Sequence, residues 1–172
     1  MLHHAVLRAA EVAGSVVVVL APDAPEPSMP SGVPVRFARD AAEGEGPLAG
    51  AYAGLLAAGT ELALLVAGDM PELVAPVMLE MLRVAREAPV DAVALQDGDR
   101  FRPIPSVVRA GPALDAAHVL LHGGGRRLRD LLDALRVAVV DESTWTALDP
   151  GRRTLFDVDE PGDLRSSRHS DP

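Results

Sequence analysis

Apolar residues along this chain gather into short runs, separated by stretches with helical spacing. Ser15-Val16-Val17-Val18-Val19-Leu20, Leu62-Ala63-Leu64-Leu65-Val66, Val90-Asp91-Ala92-Val93-Ala94-Leu95 and Val137-Ala138-Val139-Val140 are largely aliphatic or β-branched. Runs of that kind are the mark of strands covered on both faces. Val35-Arg36-Phe37 is a shorter strand-like piece. Between the runs, residues 2–13 place Leu2, Val6, Leu7 and Ala10 on one helical face, with Gly14 as the stop. Further helices are predicted over 47–58, where Pro47 occupies the first turn, and over 72–88, 112–121 and 126–135. Strands alternating with helices predict an α/β domain with a mostly parallel sheet. Residues 21–34 hold five prolines and read as a loop. Residues 102–109 are extended but interrupted by Pro103 and Pro105, which suits an edge or a bend better than a central strand. Residues 154–161 read as extended, followed by a short helix at 162–165. One domain over 1–165 and a disordered tail over 166–172 complete the expected organisation.

The candidate chemistry sits at the end of one buried run. Ala67-Gly68-Asp69-Met70-Pro71 closes the apolar stretch 62–66, so the Asp69 carboxylate falls at the carboxyl end of a strand, where open α/β sheets bind ligands. Gly46-Pro47-Leu48-Ala49-Gly50 precedes it, with a helix start between two glycines.

Composition narrows the options. The chain has 172 residues, 48% of them hydrophobic, enough for one domain with a full core. A formal net charge of −9 argues against general binding to nucleic-acid backbone. There is no cysteine, which excludes disulfides, thiolate metal sites and a cysteine nucleophile. All 16 basic residues are arginine, so every lysine-dependent mechanism is absent from these residues. No apolar stretch approaches the roughly 20 residues that span a bilayer, and no signal-peptide pattern opens the chain. A cytoplasmic location is expected.

Asp40, then residues 46–50, then Ala67-Gly68-Asp69-Met70-Pro71, then Phe156-Asp157-Val158-Asp159-Glu160-Pro161-Gly162-Asp163-Leu164, occur in an order that resembles the molybdenum cofactor guanylyltransferases and related MobA-like nucleotidyltransferases. The resemblance covers nearly the whole chain. It implies a Rossmann-like, three-layer nucleotidyltransferase fold. It also implies transfer of GMP from GTP to the phosphate of molybdopterin, or molybdenum-molybdopterin, with Mg²⁺ as cofactor and release of pyrophosphate. Proteins of the molybdenum cofactor pathway are implied as partners, and nucleic acid and membrane are not.

Carried over residue by residue, Asp69 matches the family's metal-binding, catalytic aspartate, whose hard oxygens suit Mg²⁺. Its bland alternative is a cap for the helix beginning near Pro71. Asp40 matches a nucleotide-contacting aspartate, with an ordinary loop carboxylate as the alternative. Gly46, Pro47, Leu48 and Gly50 match the loop that approaches base and ribose, where missing side chains let backbone come close. Asp157 and Asp159 lie where the family has an Asn-x-Asn or Asn-x-Asp pair. Two apart on a strand they point the same way, so one could complete the metal shell, or the acidic turn could cap a helix. Pro103 and Pro105 fall where the family has a proline-marked strand near the molybdopterin side.

His122-Gly123-Gly124-Gly125 could build an oxyanion hole, but no Gly-x-Ser-x-Gly elbow accompanies it, and a hydrolase is excluded. With Arg126 and Arg127 the same loop could hold a pterin phosphate, or simply enter a helix. His3-His4 lacks zinc-ligand spacing.

The family opens with a strand, a Leu-Ala-Gly-Gly loop, an arginine and a lysine that cradle the triphosphate, and none of these is found here. Residues 1–8 resemble the helix that follows that loop, so the chain looks to start about 25 to 30 residues late within a strand-loop-helix nucleotide unit. A missing central strand would leave two flanking strands with unpaired edges. Residues 1–172 alone are therefore expected to transfer no nucleotide and to fold poorly. Two alternatives stay open: a cytidylyltransferase using CTP, and a non-catalytic module that binds a nucleotide or a partner.

Overall fold

Five consecutive β-branched or aliphatic side chains favour extended backbone, and in the computed structural model they form β1 (Val16–Leu20). The structure describes residues 1–40 and 46–156. Parallel to β1 lies β2 (Val35–Arg39), in register from Val16 opposite Val35 to Leu20 opposite Arg39. Among the described residues these two strands form a sheet of their own. A second sheet holds β3 (Leu62–Leu65), β4 (Ala92–Asp97), β5 (Arg100–Arg109) and β6 (Val137–Val140), in the order β3-β5-β4-β6.

The second sheet corrects one expectation. β3, β4 and β6 run in one direction, as a mostly parallel sheet requires, and β5 alone is reversed, antiparallel to both β3 and β4. β5 is central, not an edge. It tolerates its prolines because the register with β4 jumps from Ala94 opposite Ser106 to Leu95 opposite Arg102. Pro103, Ile104 and Pro105 thereby fall in an irregularity where the missing N–H groups remove no ladder bond to β4.

Helices cover both faces of the second sheet. On one side α3 (Ala75–Glu87) and α6 (Glu142–Leu148) bury Val77, Met81, Leu82 and Trp145 against Val93, Leu95, Val107 and Val140. On the other, Ala92, Ala94 and Val108 meet Leu55 of α2 (Pro47–Ala58), Ala113 of α4 (Ala110–His122) and Leu132 of α5 (Leu128–Asp133). The alternation of Val93 and Leu95 against Ala92 and Ala94 is the period-two consequence of the pleat, and it yields three layers.

Expected helix boundaries shift by a few residues. The first helix, α1 (Leu2–Ala10), ends before residue 13. The helix expected from residue 72 begins at Ala75, after a turn and Val74 as its N-cap. α6 is a helix that hydrophobic periodicity did not suggest. Its start is written in Asp141-Glu142-Ser143-Thr144: Asp141 accepts hydrogen bonds from the Thr144 amide at 2.8 Å, the Thr144 hydroxyl at 2.8 Å and the Ser143 hydroxyl at 2.5 Å. Those donors pull the Asp141 pKa down to about 2. Residues 153–155 form a 3-10 turn, so Thr154 and Leu155 are not in the extended chain expected from residue 154.

The connection after α6 is clasped to the sheet. Arg152, at φ 54°, pairs with Glu142 and with Asp97 at 2.7 Å, and its guanidinium stacks 4.8 Å from the Trp145 ring. Trp145 Nε1 donates to the Gln96 carbonyl at 2.7 Å. The Glu142 carboxyl is held below its usual pKa, first by Arg152 and then by the Gly98 amide.

Candidate active site

Short connections fix which ends of the strands lie together. The Asp40 amide donates to the Leu20 carbonyl at 2.9 Å, so the carboxyl ends of β1 and β2 are side by side. The amino end of α2 faces them: a Cβ on Gly50 would lie 3.7 Å from Asp40 Oδ2 and 3.9 Å from Val19 Cγ1. A Cβ on Gly68, just past β3, would lie 3.3 Å from Leu2 Cδ1 in the first turn of α1. α1 leads back into β1 through a short turn. The carboxyl ends of β1, β2 and β3 therefore share one edge with the amino ends of α1 and α2, and β1 and β3 run parallel.

The start of α2 depends on one glycine. Gly46 is its N-cap, with φ 80° and ψ 177°, and a Cβ there would fall 2.8 Å from the Arg126 carbonyl oxygen. No other residue fits without moving backbone. The Leu48 amide donates to the same carbonyl at 3.2 Å, and Pro47 follows the cap, where its missing N–H costs nothing. Leu48 itself points inward, 0% exposed against Ala117, Leu128 and Leu131. The Leu48 side chain thus anchors the loop, and Gly46 and Gly50 supply its open backbone. The half-buried Asp40 carboxylate lies beside this first turn, where the helix dipole favours negative charge.

Asp69 is exposed in a turn beyond β3, held by the Met70 amide donating to the Ala67 carbonyl at 3.3 Å. It does not cap α3. That helix starts at Ala75, its N-cap is Val74, and no side chain caps it. Met70 and Leu73 are buried with Met78, so the apolar residues around Asp69 pin the turn while its carboxylate faces solvent. One exposed carboxylate fits a Mg²⁺ that keeps most of its waters and takes further oxygens from phosphate. Among the described residues there is no cluster of three or more metal-ligating side chains. Asp157 and Asp159 lie outside the described residues. The chain approaching them is fixed: Thr154, 0% exposed, accepts from the Val74 amide at 3.2 Å and donates its own amide to Asp149 at 2.7 Å.

The glycine loop after α4 serves α2. The Arg126 side chain donates to the Gly125 carbonyl at 2.9 Å, Arg127 is the N-cap of α5, and the Arg126 backbone buttresses Gly46. Sequence reasoning weighed the arginine side chains and missed this carbonyl. The signal was a second glycine-rich loop with no site of its own. His3 and His4 are exposed, and His3 Nε2 contacts the Ser28 carbonyl.

Residues 1–145 match the pattern of the MobA-like NTP transferase domain. The chain belongs to that family. It is 31% identical over 136 residues to a probable molybdenum cofactor guanylyltransferase of Chloroflexus aggregans, covering 77% of this chain and 64% of the relative. It is 35% identical over 137 residues to one of Mycobacterium tuberculosis, covering 76% and 65%. The chain thus spans about two thirds of the length of these curated relatives. Among solved structures, molybdopterin-guanine dinucleotide biosynthesis protein A of Archaeoglobus fulgidus superposes with a TM-score of 0.66 at 23% identity, covering 77% of this chain and 66% of the other. The 2-C-methyl-D-erythritol 4-phosphate cytidylyltransferase of Thermus thermophilus superposes with a TM-score of 0.68 at 21% identity, covering 96% and 86%. Both share the fold: a Rossmann-like, mixed α/β nucleotidyltransferase architecture. No helix among the described residues is long and apolar enough to cross a membrane.

Proposed function

We propose that these residues belong to a nucleotidyltransferase of molybdenum cofactor biosynthesis that joins GMP from GTP to the phosphate of molybdopterin. The observation that supports this reading is that, in a chain of this family, Asp40 lies beside the Gly46-capped start of α2, while Asp69 follows Gly68, which lies against Leu2 in the first turn of α1. Gly46 and Gly50 offer open backbone to the base and ribose, and Asp40 offers acceptors to their hydroxyl or amino groups. Asp69 holds Mg²⁺, alone or with Asp157 or Asp159; when bound, the ion offsets charge on the phosphates. An acceptor phosphate oxygen attacks the α-phosphorus in line, the bond from that phosphorus to the bridging oxygen breaks, and pyrophosphate leaves. The acceptor is already ionised at neutral pH, so no histidine here needs to act as a base.

Among the described residues no cluster of three or more metal-ligating side chains surrounds Asp69, which favours a second reading, a module that only binds nucleotide or partner. Isothermal titration with GTP and CTP, with and without Mg²⁺, separates the readings. The enzyme reading expects Mg²⁺-dependent binding, weakened about tenfold or more in Asp69→Asn while thermal unfolding is unchanged, since a lost metal carboxylate acts on the ion and not on the core. Identical binding by Asp69→Asn overturns it. Preference for CTP would move the proposal to a cytidylyltransferase.

A further inference from the structure

Five histidines occur in the chain, and the fold brings two of them together. His118 and His122 lie four apart on α4, a spacing that puts both side chains on one helical face, one turn above the other. Both are exposed, their ring centres are 4.1 Å apart and the ring planes meet at 42°. Tyr52 of α2 flanks the pair, with its ring centre 6.4 Å from that of His118. The proposed transfer gives neither histidine a task.

A hydrogen bond at His122 fixes which of its nitrogens is free. Nδ1 lies 2.8 Å from the His118 carbonyl oxygen, which can only accept, so Nδ1 carries the hydrogen. In the neutral ring the lone pair is then on Nε2, the nitrogen remote from the backbone. An imidazole tied to a carbonyl through one nitrogen and open at the other is the arrangement of metal-ligating histidines. Two such nitrogens, each about 2.0 to 2.1 Å from a shared ion at a tetrahedral angle, place their ring centres about 5 Å apart, so this pair need open by only about 1 Å. His122 also lies in the last turn of α4, where the helix dipole favours a cation.

We propose that His118 and His122 bind one divalent late first-row metal ion of the Zn²⁺ class, held by two imidazole nitrogens with its remaining positions open to water. Neutral imidazole suits Zn²⁺, Ni²⁺ and Cu²⁺, whereas Mg²⁺ takes oxygen. The site is therefore chemically distinct from the carboxylate at Asp69. Among the described residues no third ligating side chain joins the pair, so the ion is exchangeable and the fold does not depend on it. Clamping residues 118 and 122 holds the turn that carries Leu120, whose carbonyl accepts from the Gly125 amide at 2.8 Å. That steadies the loop leading to the Arg126 carbonyl at Gly46.

The test is isothermal titration of the 172-residue chain with zinc chloride, with Mg²⁺ in excess. One ion should bind per chain. His118→Gln and His122→Gln should each weaken that binding about tenfold or more, since losing even an outer-shell partner of a metal ligand costs that much. Each alters an exposed side chain, and unchanged thermal unfolding without zinc checks that the fold is kept. The double variant His3→Gln/His4→Gln should bind zinc as the unaltered chain does. Zinc should slow hydrogen exchange about tenfold in peptides covering residues 118–125, and leave residues 16–20 as they were. Binding that survives both single substitutions, that Mg²⁺ abolishes, or that is lost in the His3 and His4 variant would overturn the proposal. So would half an ion per chain with dimers in sedimentation, because a second copy would then be completing the site.

Discussion

The sheet β3-β5-β4-β6 and the sheet β1-β2 each hold a strand with an unbroken apolar run, β4 and β1, and the two runs are buried very differently. In β4, Ala92, Val93, Ala94 and Leu95 are all buried, with helices on both faces and a strand at each edge. In β1, the more uniformly β-branched of the two, only Val18 is buried, at 7% exposure, and its neighbours are partly open. A strand buries its side chains through what lies beside it as well as above and below it. The composition of β1 suits a central strand, and among the described residues it pairs on one side, with β2.

Equivalent truncations should expose that contrast most strongly. Leu95→Ala empties a fully buried site packed with Trp145, and should cost about 3 kcal/mol in urea denaturation. Leu20→Ala, in the partly open β1, should cost about 1 kcal/mol. Equal losses would break the comparison.

Gly46→Ala probes the point where α2, beside the smaller sheet, rests on the loop before α5. It introduces a left-handed alanine and a contact at 2.8 Å with the Arg126 carbonyl, and should cost about 2 kcal/mol. A neutral result would mean that the loop yields, and that the two regions are less tightly keyed than the contact indicates.

The smallest effect lies on the well-tied side, at the start of α6. The Asp141 pKa is lowered to about 2 from an ordinary 3.8. A depressed folded-state pKa contributes stability that is present above the ordinary value and lost as pH falls through the folded one. Stability from this cap should therefore fade between about pH 4 and pH 2. A carboxyl titration by NMR should place the Asp141 midpoint near 2. A midpoint at the ordinary value would show that the Ser143 and Thr144 bonds do not persist in solution.

Much of this was legible in the sequence, for reasons that differ by region. Strand cores at 16–20, 62–65, 92–95 and 137–140 show themselves because burial on both faces demands unbroken apolar runs. The place of β5 was not legible. Its prolines argued for an edge or a bend, and the register jump beside Pro103–Pro105 lets it lie between two strands. α6 was hidden because seven residues give too short a window for periodicity, although its capping residues were present. At the site, Asp69 beyond a buried strand and glycines around a helix start were readable from local chemistry. The Arg126 carbonyl against Gly46 was not, since that contact joins loops about 80 residues apart and depends on packing. Thr154 on the Val74 amide was invisible for the same reason.

The central claim is that one nucleotide site is assembled at the shared edge of both sheets, with Asp40 and the start of α2 on one side and Asp69 on the other. Hydrogen exchange with and without Mg²⁺ and GTP tests it most directly. The account expects the ligand to slow exchange together in the peptides covering residues 35–52 and 66–73, with little change across β4 and α6. Protection confined to one of those two segments, or spread evenly over the fold, would contradict it.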